Sequence, residues 1–543
     1  MSKEESGSYK ITRAAGAVSC GVLASRILGF VRDMLIAKLF GAGMFADSFF
    51  VAFRIPNMLR ELFGEGALSA SFIPVFTETL NREGREQAWH IARISGTLLA
   101  SLLLVVSIVG IALAPAIVWV MAPGFRLHPE KLKLTIFLTR ITFPYILFVG
   151  IAALFMGILN SLRRFAAPAF SPVMLNLAMI FSALFLSSHL NPPVLALAVG
   201  VLVGGIGQMA IQVPGVRREG ATFYPHFELR NPAVQRIGRL MLPGIAGLAI
   251  SQANFFVSTF LASFLKEGSV SFLYYSFRLI QVPIGLVGVA LGTAILPYLS
   301  SYSASGSYQE LKRITSLAVR LGFFITIPFT VALILFREPI VALLFQRGAF
   351  TQFMTAEVAG TLLFLSLGIC FYVGDRIVVS AFYSLQDTKT PVLISAAAVL
   401  SEIFFSLLLM GSLKVRGLAL ATSIASSIHF LLLLSLLGKK IGPLGNAELL
   451  RSLIRIAVSV APLAFLCQYL LVKYPPLLPG GMVARVGLLV LEISAGAAAY
   501  LGTMLLLRSE EALFLFTLIR KRMGGGKGRP TDQGQGEGRE NIS

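Results

Sequence analysis

Charged side chains are scarce in this sequence, and their scarcity excludes an ordinary soluble protein. Asp, Glu, Lys and Arg make up 13% of the 543 residues, whereas hydrophobic residues make up 56%. A soluble domain has about twice that charged fraction. The apolar residues also form run after run of about 20 residues, the length that crosses a bilayer as a helix. We therefore predict an all-α membrane protein.

Cysteine and histidine are scarce too, which argues against a disulfide framework and a metal centre. Cys20, Cys370 and Cys467 all fall in predicted membrane spans and have no paired spacing. The five histidines show no metal-ligand spacing. A membrane glycosyltransferase would need clustered acids or a loop-borne catalytic dyad, and neither pattern is found. We expect no metal site, no cofactor and no enzyme.

Basic residues outnumber acidic ones, and their distribution predicts the orientation of the chain. The net charge is +20. If the N-terminus is cytoplasmic, most Lys and Arg between the spans lie on the cytoplasmic side, as the positive-inside rule requires. Much of the excess then faces anionic lipid, and no basic, aromatic-interleaved soluble face exists, so nucleic acid is not an expected partner. Arg26 and Arg32 interrupt the first apolar segment, so no cleavable signal is expected.

An even number of spans would place both termini in the cytoplasm. We predict about fourteen membrane helices from the apolar runs. They lie near residues 14–40, 44–66, 94–122, 134–160, 168–188, 193–215, 238–264, 271–300, 315–337, 355–384, 391–411, 416–438, 455–473 and 486–507.

An internal repeat at an offset of 223 residues divides the chain. Ser-Leu at 161–162 recurs at 384–385, and Leu-Ala-Leu-Ala at 195–198 recurs at 418–421. The offset spans an even number of helices, so it predicts two pseudo-symmetric six-helix lobes in the same orientation, with the substrate path between them. The predicted divisions are an N-lobe at 1–220 (helices 1–6), a C-lobe at 221–445 (helices 7–12), the appended helices 13 and 14 at 446–510, and a basic, largely disordered cytoplasmic tail at 511–543.

Charge inside apolar segments marks the candidate pathway. A cation in hydrocarbon costs roughly 2.5–3.5 kcal/mol, so such residues usually face a water-filled cavity or a partner. The repeat makes Arg54 and Arg278 equivalent at an offset of 224, on opposite walls of one cavity. Guanidinium stays charged and its planar fork suits phosphate, so we predict an anionic substrate, with a diphosphate as the natural candidate. The predicted cationic residues are Arg26, Arg32, Arg54, Arg60 and Arg278.

Acidic residues accompany these arginines, and two readings of them stay open. Asp47, Arg54 and Glu61 recur every seven residues and share one face of a helix. The acids could be structural ion pairs that fix helices 1 and 2, or they could take part in gating. The residues concerned are Asp33, Asp47, Glu61 and Glu65.

Several segments resemble the MurJ (MviN) family of lipid II flippases, in the multidrug/oligosaccharidyl-lipid/polysaccharide exporter superfamily. They read SRILGFVRD from residue 25, ADSFFVAFRIPNMLRELFGEGALSASFIPVF from residue 46, TFPYILF from 142, NPPVLALA from 191, VALGTAILP from 289 and FYSLQDTKTPV from 382. The resemblance implies a fourteen-helix flippase of the bacterial inner membrane whose two lobes enclose a cationic cavity and alternate between inward- and outward-open states. It also implies that helices 13 and 14, at 446–510, line a groove for the lipid tail.

The resemblance also implies a set of site residues and partners. The family's cavity positions carry over to Ser25, Arg26, Arg32, Asn57, Arg60 and Arg278, with Asp47 as its acidic position; we add Arg54 and Ser271 to the predicted substrate-binding set. Some members carry acids beside the helix 8 arginine, where this chain has Phe277 and Gln281. The expected partners are lipid II, an undecaprenyl-diphosphate-linked disaccharide pentapeptide, and membrane lipids, with the protein a monomer.

The energy source and the exact substrate stay open in the sequence. Glu402 and Asp375 lie in predicted spans of the second lobe and are candidates for coupling to Na⁺ or H⁺, with the membrane potential as the other possibility. Asp375 could also form a pair with Arg376. The alternative function is an exporter of the same fold for drugs or for another polyprenyl-linked glycan, although the arginines count against cationic drugs.

Overall fold

The computed structural model describes residues 3–61, 68–222, 224–475 and 481–524, and the secondary structure it assigns there is helical. The first half contains α1 Lys3–Phe40, α2 Met44–Arg60, α3 Leu68–Arg82, α4 Arg85–Ala112, α5 Ala114–Met121, α6 Pro129–Thr142, α7 Tyr145–Ser161, α8 Ala166–Phe185, α9 Leu195–Ala210 and α10 Val213–Arg218. The second half contains α11 Pro232–Ala262, α12 Ser269–Pro283, α13 Ala290–Ala304, α14 Tyr308–Leu335, α15 Arg337–Phe345, α16 Gln352–Ser366, α17 Ile369–Ser384, α18 Lys389–Leu413 and α19 Val415–Ile441. Three further helices follow, α20 Asn446–Lys473, α21 Met482–Leu506 and α22 Glu510–Gly524.

Long apolar helices dominate the described chain, which confirms the predicted all-α membrane protein. In the described ranges, ten helical spans are long and apolar enough to cross a membrane. Some of them join consecutive helices, as α6 with α7 and α12 with α13. The pair α16 and α17, bent by 42°, would make eleven. Among the described residues α1 and α2, which carry the intramembrane charges, do not meet this test. The count of fourteen spans therefore stays a prediction.

The two halves of the chain have the same pattern of helix packing. In the first half α1 packs on α8, α2 on α6 and α3 on α7; in the second half α11 packs on α18, α12 on α16 and α13 on α17. Each of the helices α1 to α9 thus has an equivalent ten helices later. This confirms the two pseudo-symmetric lobes predicted from the repeat. The appended helices α20 and α21 pack together and against α14 of the second lobe.

Two segments differ from the sequence prediction. The sequence predicts no span between 66 and 94, but the chain forms helix α3 there, at Leu68–Arg82. Helix α3 is the equivalent of α13 in the repeat. The tail predicted at 511–543 to be largely disordered begins as helix α22. Arg320 of α14 binds Glu510 at 2.8 Å, and Glu511 accepts hydrogen bonds from Ser452 and Ser509 at 2.8 and 2.6 Å. These contacts fix the start of α22, and sequence composition does not show them.

Small residues allow close packing within the first lobe, at Gly200 and Gly204 of α9. A Cβ atom at Gly204 would lie 2.9 Å from the Cα of Leu175 on α8, and one at Gly200 would lie 2.9 Å from the Cα of Met179. Both contacts are to backbone, which cannot move aside as a side chain can. Helix α9 therefore approaches α8 only because these positions lack side chains.

We predict that Gly204→Ala lowers the thermal unfolding midpoint of the purified protein, because the added methyl overpacks α8 and α9 at a cost of about 1–3 kcal/mol. The matched control is Gly411→Ala, since a Cβ atom at Gly411 meets nothing within 4 Å. That variant should be neutral or slightly more stable, because Ala favours a helix over Gly by up to about 1 kcal/mol. Equal unfolding midpoints for the two variants would contradict the packing argument.

Candidate functional site

The lobes meet along α2 and α12, which are equivalent helices of the repeat. Three pairs of residues 224 positions apart lie along them: Asp47 with Ser271, Phe50 with Tyr274, and Arg54 with Arg278. Asp47 Oδ1 accepts from Ser271 Oγ at 2.6 Å, and the rings of Phe50 and Tyr274 stack with centroids 3.9 Å apart. The pseudo-two-fold axis therefore passes between α2 and α12.

Asp47 joins the lobes at one end of this interface. Its side chain is buried, and its carboxylate accepts from Gly268 N at 2.8 Å and from Ser271 N at 2.9 Å in the second lobe. From the first lobe, Lys131 Nζ approaches Oδ2 at 2.6 Å. The negative charge of Asp47 thus balances the buried Lys131 ammonium. Its oxygens also accept hydrogen bonds from backbone N–H groups at the start of α12, which have no partner within the helix.

Backbone contacts close the same end, which we call the Asp47 end. Gly268 has φ +92°, and a Cβ atom there would lie 2.5 Å from the carbonyl oxygen of Ala42, so only glycine fits. Ala349 N donates to Lys38 O at 2.8 Å, and Tyr275 Oη donates to Gly41 O at 3.1 Å. These hydrogen bonds connect the turn between α1 and α2 to the second lobe.

Asp33 is a second buried carboxylate that both lobes compensate. Arg32 on its own helix approaches Oδ1 at 2.8 Å, and Tyr274 Oη of α12 donates to the same oxygen at 3.2 Å. Arg278 of α12 brings its Nε to 2.6 Å from Oδ2. Asn176 of α8 accepts from Arg32 Nη1 at 3.0 Å. Arg32 is only 8% exposed, so in this state it belongs to an ion-pair network and not to an open cavity wall.

Arg54 and Arg278 each reach the first helix of the opposite lobe. Arg278 of α12 pairs with Asp33 of α1, and Arg54 of α2 lies over the ring of Phe255 of α11 at 4.6 Å. Phe255 is also in edge contact with Phe277, the residue that precedes Arg278. The two arginines thus occupy equivalent places in chemically different surroundings, one ionic and one aromatic.

Two glycines make room for the guanidinium groups between the lobes. A Cβ atom at Gly29 would lie 2.7 Å from Arg278 Nη2, and one at Gly285 would lie 3.1 Å from Arg26 Nη1. Arg26 of α1 therefore reaches the second lobe at the π-helical turn Ile284–Val289. Ser25 beside it accepts hydrogen bonds from the Asn176 side chain, at 3.0 Å through its carbonyl oxygen and at 3.4 Å through Oγ.

Asn57, Arg60 and Glu61 form a separate cluster at the end of α2. Asn57 accepts from Arg60 Nε at 3.1 Å and donates to Glu61 Oε1 at 3.2 Å. Gln252 of α11 donates to the other carboxylate oxygen of Glu61. The structure thus places Glu61 in an ion-pair cluster that reaches the second lobe. Glu65 lies outside the described residues.

Glu402 lies where three helices of the second lobe meet. Its Oε1 accepts from Ser258 of α11 at 2.8 Å and from Thr422 of α19 at 3.0 Å. Its Oε2 is buried and has no hydrogen-bond partner among the described residues. Asp375 is paired with His429 Nδ1 at 3.0 Å, so the suggested Asp375–Arg376 pair is replaced by one with a neighbouring helix.

The motif FYSLQDTKTPV has a structural role in the turn between α17 and α18. Asp387 accepts from Thr390 N at 3.0 Å and from Lys440 Nζ at 2.8 Å. The Lys440 hydrogen bond, followed by that from the Thr390 backbone, lowers the pKa of Asp387 to about 2. This motif holds the start of α18 and lies outside the arginine site.

Sequence reasoning named most residues of the interface but missed their partners. Lys131, Tyr274 and Asn176 were not predicted, although each is a polar residue at or inside an apolar span. Arg32 and Arg278 share the single carboxylate of Asp33, so arginine exceeds acid in this network.

The family of the chain follows from comparison with known proteins. The sequence model of the family "Lipid II flippase MurJ" matches residues 36–486. The chain belongs to the MurJ family. It is 35% identical to the probable lipid II flippase MurJ of Vibrio cholerae, over 92% of this chain and 97% of that protein. It is 36% identical to the lipid II flippase MurJ of Burkholderia cenocepacia, over 78% of this chain and 82% of that protein.

Solved structures support the same assignment. A structure of lipid II flippase MurJ in an inward closed conformation matches with a TM-score of 0.74 and 25% identity, over 90% of this chain and 99% of that one. An inward-facing multidrug resistance MATE transporter matches with a TM-score of 0.62 and 15% identity, over 78% of this chain and 96% of that one, which shows a shared fold. MurJ is a family of multi-pass inner-membrane transporters and not of enzymes.

We predict that Asp47→Asn lowers the free energy of unfolding by about 3–5 kcal/mol, because it leaves the buried Lys131 ammonium without its counter-charge. Thermal unfolding of the detergent-purified protein measures this. Glu130→Gln is the control, since Glu130 pairs with Lys133 at 3.6 Å where both side chains are largely exposed, and such a pair is worth at most about 1 kcal/mol.

The double variant Asp47→Asn with Lys131→Met should recover part of the loss, because it removes the orphaned cation. If Asp47→Asn and Glu130→Gln unfold at the same temperature, the carboxylate does not hold the lobes together.

Proposed function

We propose that this chain moves lipid II from the inner to the outer leaflet of the bacterial cytoplasmic membrane by alternating access. The observation that carries the proposal is the cluster of arginines between two pseudo-symmetric lobes, in a member of the MurJ family. An anion held there would lie on the axis of the molecule, where a rocking motion of the lobes exposes it to either side. No observation favours a multidrug or other polyprenyl-glycan exporter over this function.

The diphosphate of lipid II would bind Arg278 and Arg26, with Arg54, Arg32, Arg60, Ser25, Asn57 and Ser271 in supporting positions. In the described state Asp33 supplies the negative charge that Arg278 requires. A diphosphate would compete with Asp33 for this guanidinium and offer it a bidentate partner. Asp33 then acts as an internal counter-anion that keeps the site compact when no substrate is bound.

We propose that the Asp47 end faces the outside. With a cytoplasmic N-terminus, α1 ends at the outer face, and the hydrogen bonds of Asp47 close the cavity there. The state would be closed to the outside, in keeping with the relative solved in an inward closed conformation. At the opposite end, Arg236 of α11 binds Glu78 of α3 at 2.9 Å, a salt bridge between the lobes that has to break or move as the cavity opens inward.

Glu402 is proposed as the site that couples transport to Na⁺ or H⁺, with Asp375 nearby in the chain as a second candidate. A buried carboxylate oxygen without a partner, surrounded by hydroxyls from α11 and α19, suits a cation or a proton. Helix α11 also packs against α3 of the first lobe. A cation or proton bound at Glu402 would therefore change the packing of α11 at the interface between the lobes.

Residues 446–510 are proposed to guide the polyprenyl tail. Helices α20 and α21 expose large apolar side chains, among them Phe465 and Leu491, and Glu492 is buried. In this proposal the two lobes, at 1–220 and 221–445, carry out transport, and α20 and α21 bind the lipid tail beside them. The protein acts as a monomer.

We predict that Arg278→Ala and Arg26→Ala each weaken lipid II binding about 10- to 100-fold, since each removes charge-assisted hydrogen bonds worth about 1.5–3 kcal/mol. Arg→Lys at either position should restore binding only in part, because the planar fork is lost. Binding of labelled lipid II to the purified protein measures this, with complementation of a flippase-depleted bacterium beside it. Arg313→Ala is the control, because Arg313 is exposed and pairs with Glu310. Unchanged binding in both Ala variants would remove the cavity assignment.

A disulfide across the Asp47 end should stop transport. We predict that cysteines at Met44 and Glu267 crosslink in the described state, because Met44 N donates to Glu267 Oε1 at 2.6 Å. These positions leave the buried Asp47 cluster intact. Oxidation should abolish flipping in proteoliposomes and reductant should restore it, while either single cysteine should flip normally. Flipping at the normal rate after complete crosslinking would argue for a static groove.

We predict that Glu402→Gln removes the response of transport to an imposed Na⁺ or proton gradient, because an amide cannot bind either cation as a carboxylate does. Flipping in proteoliposomes with and without each gradient measures this. Glu492→Gln is the control, since Glu492 is an equally buried carboxylate in the appended helices. A Glu402→Gln protein that still responds to the gradient would place the coupling site elsewhere.

A further inference from the structure

Three side chains with metal-ligand chemistry meet away from the arginine site. His90 lies near the start of α4, and His226 and Glu228 lie in the segment that connects α10 of the first lobe to α11 of the second. One ligand atom from each side chain lies within 4.8 Å of the others. His90 Nε2 is 3.1 Å and His226 Nε2 is 3.9 Å from the same carboxylate oxygen, Glu228 Oε2.

These distances are compatible with three ligands of one ion. Zn²⁺ binds imidazole nitrogen and carboxylate oxygen at about 2.0–2.2 Å, so in tetrahedral coordination two ligand atoms lie about 3.3–3.5 Å apart. Two imidazoles and one carboxylate form a three-ligand set that Zn²⁺ takes in proteins, with water in the fourth position. The three side chains are partly exposed, so an ion could enter from solvent.

The connecting segment is already anchored on α4 beside these residues. His226 N donates to Thr97 Oγ1 at 3.0 Å, and the Arg93 guanidinium lies over the Tyr224 ring at 4.5 Å. His90, Arg93 and Thr97 are spaced so that they share one face of α4. The imidazoles of His90 and His226 lie with their centroids 4.9 Å apart on this face. The backbone therefore holds the candidate ligands together before any ion binds.

We propose that His90, His226 and Glu228 bind a divalent transition-metal ion, with Zn²⁺ the best match. The ion fastens the interlobe connection to α4 of the first lobe. Since α11 follows this connection directly and packs against both lobes, the site would restrict how far α11 can swing relative to the first lobe.

The test is metal binding by the full-length protein, purified with a tag that contains no histidine. Co²⁺ serves as the spectroscopic probe, and Zn²⁺ displaces it. We expect one Co²⁺ per chain with a visible spectrum of nitrogen and oxygen ligation. His90→Ala and Glu228→Gln should each weaken Co²⁺ binding by at least about 10-fold. Loss of a residue that only hydrogen-bonds a metal ligand already weakens metal binding by about that much. The control is His189→Ala, since His189 is exposed elsewhere on the molecule.

A second measurement separates metal binding from a merely structural role. Zn²⁺ should slow hydrogen exchange of the backbone amides in 224–231 of the wild-type protein and of His189→Ala, but not of the two site variants. Glu228→Gln preserves the shape of the side chain, so it reports on the ligand if His90→Ala fails to fold. Equal Co²⁺ affinity in all four proteins, or exchange that Zn²⁺ leaves unchanged, would overturn the proposal.

Discussion

The two carboxylates at the meeting of the lobes, Asp33 and Asp47, are buried, and groups from both lobes compensate each of them. A buried charge without partners costs several kcal/mol, so neither lobe can withdraw from these residues unless water or another ion replaces what it contributed.

The pseudo-symmetry of the lobes is a symmetry of backbone and not of chemistry. Helix α1 carries the buried charges Arg32 and Asp33, whereas its equivalent α11 carries the aromatic residues Phe255 and Phe256. The first helix of the N-lobe therefore offers an ion pair to the arginine that crosses from the other side, whereas its equivalent in the C-lobe offers an aromatic ring. The C-lobe buries a carboxylate at a different place, since Glu402 lies between α11, α18 and α19. One lobe thus concentrates charges at the interface between the lobes, while the other buries a carboxylate among its own helices.

Close backbone approach supplies the rest of the interface. Gly29 and Gly285 leave space for the two guanidiniums, and Gly268 brings the start of α12 against the turn after α1. A side chain at any of these positions would meet an arginine or a carbonyl oxygen from the opposite lobe. The arginine site therefore depends on small residues as much as on charged ones.

The sequence by itself determined the helical membrane fold, the two lobes and the equivalence of Arg54 with Arg278, because a bilayer demands long apolar helices and a repeat is visible as a fixed offset. It also marked Arg26, Asp33 and Asp47 as charges in apolar segments that need a partner or a polar cavity. Only the tertiary structure decided which partner each charge takes. The contacts of Asp47 with Lys131, of Asp33 with Tyr274, and of His90 with Glu228 join residues far apart in the chain. The same holds for the start of α22, where Arg320 of a distant helix binds Glu510. Local pattern cannot reveal these contacts, because the folded backbone alone brings such residues within reach of one another.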